Sequence, residues 1–336
     1  MAKEIKIGRT VIGKDGTVFI IAEAGVNHEG SFLAAKKMVQ VAAEAGADAV
    51  TFQHIVDSEL NTKHRGPKNL TWRKWLLPPR EIKELFSLAK KNKLLCTACV
   101  IDTKSVDEIV NYGADFFKIV SGDITNIPFL KYCARKGLPL FISTGAASLG
   151  EIETAISAVK SQGNDKIVLY HTNTNYPTPR REINLRVLPT LQNAFGEITG
   201  FCDHTEGYLA PLIATALGAK VIEKHFTLDR NRKGPDYQVS LEPGELKEMI
   251  HQLRNIEIIL GSSAKKLLNS EQNTYKFARR SIVARQRISR GTRITKYMLS
   301  FKRPGTGISP SLADYVVGRR AKKDIGQDTI ITQDMI

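Results

Sequence analysis

The feature that most constrains this chain is an alternation. From Val18 to Leu260 short apolar runs take turns with longer segments of helical period. Eight such runs occur, near Val18 to Ala22, Ala49 to Phe52, Leu94 to Thr97, Phe116 to Val120, Leu140 to Ser143, Ile167 to Tyr170, Ile198 to Phe201 and Val221 to Glu223. Strand and helix patterns in alternation imply βα units on a parallel sheet. Eight units in about 245 residues fit a closed (β/α)8 TIM barrel better than an open sheet. Three helix-to-strand joints are alike, Ala45-Gly46-Ala47-Asp48, Tyr112-Gly113-Ala114-Asp115 and Leu217-Gly218-Ala219-Lys220. A glycine there supplies the left-handed helix cap, and the joints belong to the structural bottom face of the barrel.

After Gly261 the pattern changes. Residues 262–277 are polar and read as a linker. Ser281 to Ala284, Gly291 to Ile294 and Met298 to Gly307 are short β-rich pieces with Gly and Pro turns, the signature of a compact second domain. The expected division is 1–261, 262–277 and 278–336.

Net charge is +15, which invites a nucleic-acid reading. Its distribution argues against one: from Lys276 onward 14 Lys and Arg face 4 Asp and no Glu, so two thirds of the excess lies in the tail. No zinc-finger spacing or aromatic RNA-binding motif accompanies it. Anionic small substrates or a partner surface suit the charge as well. No apolar run approaches the roughly 20 residues of a membrane span, and the opening residues lack a signal-peptide core, so a cytoplasmic location is expected. Cys96 and Cys99 form a C-x-x-C inside a strand pattern, where residues three apart face opposite ways, so neither zinc nor redox chemistry is expected of them.

A barrel brings the C-terminal ends of its strands to one face, where such folds place their chemistry. The residues arriving there are Glu23, Gln53, Thr97, Lys118 with Ser121, Ser143 with Thr144 and Gly145, Tyr176, His204, and Glu223 with His225. Two carboxylates, two imidazoles, a lysine and several hydroxyls are more chemistry than strand ends need. His204 and His225 end neighbouring strands and are placed to share a divalent ion. With carboxylate and water ligands Mn2+ or Mg2+ fits, and Zn2+ fits as well. Lys118, Ser121, Ser143 and Thr97 suit an anion, the alternative being a buried lysine paired with a barrel carboxylate. The connection from Gln53 to Pro79, with His54, His64, Trp72 and Trp75, is long enough for a lid or a dimer contact.

Six stretches then carry a resemblance: residues 21–30 (IAEAGVNHEG), 117–123 (FKIVSGD), 142–145 (ISTG), 176–179 (YPTP), 203–205 (DHT), and 223–226 (EKHF) followed by Gly-Pro-Asp at 234–236. Together, in this order, they resemble the sialic acid synthase family. The tail, with Phe301 to Gly307, resembles the antifreeze-like (SAF) domain that follows the barrel there. The resemblance implies condensation of phosphoenolpyruvate with an N-acylated mannosamine-type aldose, giving a nine-carbon 2-keto sugar acid and phosphate.

The resemblance also assigns roles. It makes His204 and His225 metal ligands, Glu23 the carboxylate beside the substrate aldehyde, and Glu223 the one near a metal-bound water. Thr97, Lys118, Ser121 and Ser143 would hold phosphoenolpyruvate. Gln53, Tyr176 and Asp236 would line the sugar, with Thr174 near its N-acyl group. Arg303 would be lent to the partner subunit's site in a domain-swapped homodimer. Either Glu23 or Glu223 could serve as base. One departure stands out: Thr51-Phe52-Gln53 replaces the family's Lys-Phe-Gln, removing one of two lysines on the phosphate side. A barrel aldolase or isomerase that does not use phosphoenolpyruvate, and a catalytically degenerate sugar-binding paralogue, are the alternatives.

Overall fold

The computed structural model describes residues 3–13, 16–55, 74–232 and 234–336. His64, Trp72 and most of the Gln53 to Pro79 connection lie outside them. The chain divides into two compact units, 1–261 and 262–336.

The first unit opens with an antiparallel hairpin of β1 (Glu4–Ile7) and β2 (Thr10–Gly13). Eight parallel strands follow: β3 (Phe19–Gly25), β4 (Ala49–Gln53), β5 (Leu95–Cys99), β6 (Phe117–Ile119), β7 (Leu140–Ser143), β8 (Ile167–Thr172), β9 (Ile198–Asp203) and β10 (Val221–His225). They pair in chain order, and β10 closes on β3 with Val221 opposite Phe19 and His225 opposite Glu23. The alternation in the sequence therefore does fold as a (β/α)8 barrel.

Between and after the strands run α1 (Phe32–Ala45), α2 (Pro79–Lys91), α3 (Thr103–Tyr112), α4 (Ile127–Arg135), α5 (Leu149–Lys160), α6 (Val187–Phe195), α7 (Leu209–Ala216) and α8 (Pro243–Leu260). Their ends are chemically specified. Ser31 caps α1 and Asp102 caps α3 through side-chain acceptors, and Ser148 and Glu151 form a reciprocal capping box on α5. Gly46 and Gly113 end α1 and α3 at φ of 87° and 84°, a region that costs other residues a Cβ clash. The aspartates that follow tie the bottom face: Asp48 accepts from the Ile20 N–H and Asp115 from the Cys96 N–H, each at 2.8 Å. Among the described residues no helix is long and apolar enough to cross a membrane.

Strand alternation sorts the side chains into two cores. Outward residues such as Ile20, Ala22, Val50, Cys96, Phe117, Ile142, Leu169 and Phe201 pack against the helices. Inward residues Phe19, Ile21, Ala49, Phe116, Phe141, Val168, Ile198 and Val221 fill the barrel, and Ile5, Ile7 and Ile12 of the hairpin pack with them. The lower barrel is thus filled with hydrocarbon, which leaves the upper layers for chemistry. The plugging hairpin is absent from the sequence-based expectations.

The second unit carries α9 (Gln272–Ala278), the antiparallel pair β11 (Ser281–Ala284) and β12 (Leu299–Lys302), and the short α10 (Ala313–Val316). Ile282, Ile288, Ile294, Leu299, Val316, Ile325 and Ile331 form its own core. The segment read as a linker contains a 3-10 turn at Asn269–Glu271 and all but the last residue of α9.

Candidate active site

The parity of each strand decides which side chains enter the upper barrel. Counting inward in twos from Ile21 gives Glu23, from Ala49 gives Thr51 and Gln53, and from Phe116 and Phe141 gives Lys118 and Ser143. From Ile198 the count reaches Cys202 and His204, and from Val221 it reaches Glu223 and His225. Glu23, Thr51 and Thr97 lie level across β3, β4 and β5. All but Gln53 of these residues are buried.

The two imidazoles are neighbours, with ring centroids 5.5 Å apart. His204 Nδ1 lies 2.5 Å from the Asn173 carbonyl, so it carries the proton, and Nε2 presents a lone pair. That lone pair accepts from the Tyr176 hydroxyl at 2.8 Å, while the Tyr176 ring stacks on His204 with centroids 4.0 Å apart. Burial drives the His204 pKa down to about 3. Burial, then the neighbouring His204, holds His225 well below the usual range. Both rings are therefore uncharged at neutral pH, the state a metal ligand requires.

Gly25, at φ +52°, closes one side: a Cβ there would stand 2.9 Å from Asp236 Oδ2 and 3.5 Å from His225 Nδ1. Those two atoms are 3.8 Å apart, and neither has a hydrogen-bond partner although both are buried. Glu223 Oε2 is likewise buried and unpartnered. Two neutral imidazoles beside carboxylate oxygens in need of partners are a donor set that fits a divalent cation. Among the described residues no three His, Cys, Asp or Glu side chains form a ready-made cage. An ion held here would take its remaining ligands from water or substrate.

Across the barrel Lys118 Nζ pairs with Glu223 Oε1. The ammonium also lies 3.4 Å from Cys202 Sγ and 4.6 Å from the centroid of the Tyr170 ring. Burial works against its charge, but the acidic groups facing it, with Glu223 in direct contact, outweigh burial and raise the pKa. Glu23 takes the opposite path. Burial, then the charge of Glu223, raises it to about 8, although Lys118 and the Gly25 N–H oppose the shift. That N–H donates to Glu23 Oε1 at 2.6 Å. Asp236 is raised to about 6 by burial. The site therefore holds one carboxylate tied to a cation and a second that keeps its proton at neutral pH.

The remaining expected residues divide. Ser121 Oγ accepts from the Gly145 N–H at 3.1 Å, placing a hydroxyl and a backbone amide together at the ends of β6 and β7. Thr97 is fully buried and gives its proton to the Phe116 carbonyl, so only its lone pairs are available. Gln53 is half-buried at the end of β4, and Thr174 is exposed in the loop after β8. Arg303 is exposed in the second unit.

Sequence reasoning gave no site role to Tyr170, Cys99 or Cys202, which lie against Lys118 and the two glutamates. Cys99 Sγ is 3.8 Å from Glu23 Oε2, and Cys202 Sγ is 3.1 Å from Glu223 Oε1. Burial keeps both thiols protonated. Period-two counting back from His204 would have found Cys202. Tyr170 fits only because Gly200 faces it, where a Cβ would stand 2.9 Å from its ring.

Comparison with known proteins bears on the fold and the family. The NeuB family model matches residues 38–265, and the SAF domain model matches residues 279–336. An uncharacterized protein of Methanocaldococcus jannaschii is 40% identical over 332 residues, covering 99% of this chain and 98% of its own. The N,N'-diacetyllegionaminic acid synthase of Legionella pneumophila is 39% identical over 342 residues, covering 96% of each. Among solved structures, the N-acetylneuraminic acid (sialic acid) synthetase of Leptospira borgpetersenii superposes with a TM-score of 0.75 at 35% identity, covering 82% of this chain and 95% of that one. A matching family model over more than half the chain, relatives this similar over nearly its whole length, and a barrel with its chemistry at the upper mouth lead to one assignment: the chain belongs to the NeuB family and carries a SAF domain after its barrel.

Proposed function

We propose that the protein is a nonulosonate synthase that condenses phosphoenolpyruvate with an N-acylated mannosamine-type aldose, releasing phosphate. The observation that carries this reading is the convergence at one barrel mouth of two neutral imidazoles, an ion-paired carboxylate and a protonated one. The likeness to the Legionella enzyme, whose product is a diacetylated legionaminic acid, favours that branch of sugar acids.

In this reading His204 and His225 hold Mn2+ or Mg2+, which when bound polarises the aldehyde oxygen. Lys118, Ser121 and Ser143 hold the phosphoenolpyruvate, joined by Thr97 only when its hydroxyl turns from the Phe116 carbonyl, and Gln53, Thr174, Tyr176 and Asp236 line the sugar. The enol carbon attacks the aldehyde carbon, and the oxygen formed takes the proton that Glu23 keeps up to about pH 8. Water adds to the electron-poor C2 and loses its proton to Glu223, whose Oε2 has no other partner. The resulting hemiketal expels phosphate and leaves the 2-keto acid. Arg303 comes from the partner subunit of a cytoplasmic homodimer.

The test is phosphate release on mixing phosphoenolpyruvate, an N-acyl mannosamine-type sugar and Mn2+. Release should need both substrates, stop with chelator, and show a kcat that falls as pH rises through about 8, where Glu23 loses its proton. A second reading has its own support, because Thr51 supplies no cation and Lys118 is already paired with Glu223. Turnover of the sugar without phosphoenolpyruvate would favour that barrel aldolase or isomerase and sink the first reading.

A further inference from the structure

Each inward imidazole at the top of the barrel is preceded by a charged residue pointing the other way. In β9 this is Asp203, preceding His204; in β10 it is Lys224, preceding His225. The two are opposite each other in the strand register. Both side chains are wholly buried behind the barrel wall, with Nζ to Oδ2 at 2.7 Å. Lys224 Nζ also donates to the Thr205 carbonyl at 2.5 Å. Asp203 accepts from the Thr205 N–H at 2.9 Å and from its hydroxyl at 3.1 Å. The residues on both sides of His204, Asp203 through its carboxylate and Thr205 through its carbonyl, are therefore tied to Lys224, which precedes His225.

A pair of charges is not what this layer uses for cohesion. The outward positions of β3 to β7 hold Ile20, Ala22, Val50, Cys96, Phe117 and Ile142, and others equally apolar. In β8 the outward His171 gives Nε2 to the Ile183 carbonyl at 2.6 Å and makes no ion pair. Buried ion pairs contribute little net stability over well-packed hydrocarbon, because desolvation offsets their attraction. What a pair of this kind supplies is a fixed geometry, and it occurs on the two strands that present the imidazoles.

We infer that Asp203 and Lys224 are positioning residues, a buried clamp that sets the spacing and orientation of His204 and His225 for a divalent cation. This rests on the metal reading of the proposed function. Partners one step behind metal ligands typically change affinity about 10- to 100-fold when removed.

The test replaces the pair by hydrocarbon in the full-length protein, Asp203→Leu with Lys224→Met. Thermal unfolding, Mn2+ titration, and the ring 15N resonances of the histidines in metal-free protein are then compared with wild type. The expected result is a Tm within a few degrees, an Mn2+ Kd weakened by about 10-fold or more, and displaced His204 and His225 ring resonances. An unchanged Kd with unmoved resonances overturns the inference. Wild type and His204→Ala are titrated alongside. If they bind Mn2+ alike, the metal reading fails on its own, and the inference is judged on the metal-free spectra: displaced rings at equal Tm support the clamp, unmoved rings refute it. If the double variant does not fold, Lys224→Arg takes its place under the same readouts. It keeps the charge, but its planar fork does not reproduce an ammonium shared between Asp203 and the Thr205 carbonyl.

Discussion

Thr51 is fully buried and level with Glu23 and Thr97, and its hydroxyl has only a 3.5 Å contact to the Phe52 carbonyl. A lysine there would point into the upper barrel toward the same space as Lys118. Lys118 is the only cation on the inward face of the described strands, and it is already paired with Glu223. An arriving phosphate must therefore share it. Thr51→Lys is expected to lower the KM for phosphoenolpyruvate by about 10-fold, the scale of one charge-assisted hydrogen bond. Initial-rate kinetics at saturating sugar would check this, and an unchanged KM would mean that another group already serves the phosphate. The candidates Glu23, Lys118, His204, Glu223 and His225 were legible in the chain because each ends a strand pattern. Their states were not. Nothing in the letters says that Glu23 keeps its proton while Glu223 faces a cation, because burial and a neighbour from another strand decide that.

Among the elements, the β1–β2 hairpin does more than its length suggests. Ile5, Ile7 and Ile12 share one buried cluster with Phe19, Phe116 and Phe141, so the hairpin is part of the barrel core. Ile12→Ala should lower stability by about 2 to 5 kcal/mol through the cavity it leaves, measured by urea unfolding of the full chain. A change below about 0.5 kcal/mol would mean that the barrel is closed without it. The eight strands were readable because each is a continuous apolar run bounded by turn residues. The hairpin was not, since Glu4–Ile7 and Thr10–Gly13 are four-residue alternations whose inward face makes sense only once a barrel stands above them. Tyr170 was missed for the same reason: alone it is one aromatic in an apolar run, and its position beneath Lys118 depends on the space left by Gly200.

For the whole molecule, the proposal that Arg303 serves the partner's site makes a quantitative prediction. Arg303→Ala and Glu23→Ala subunits should each be nearly inactive. Unfolded together and refolded as a mixture, they should recover up to about a quarter of wild-type activity, since half the dimers are mixed and one site of each is intact. No recovery, with mixed dimers shown to form, would count against a shared site.

The sequence by itself determined the barrel, the second domain and the identity of the groups at the barrel mouth, because period, turn residues and strand ends are local properties that the chain carries wherever it folds. Only the tertiary structure decided which carboxylate meets Lys118, which nitrogen of His204 carries the proton, and that Asp203 and Lys224 face each other behind the imidazoles. Those outcomes join residues on different strands, and their protonation depends on burial and on charges that no single segment contains.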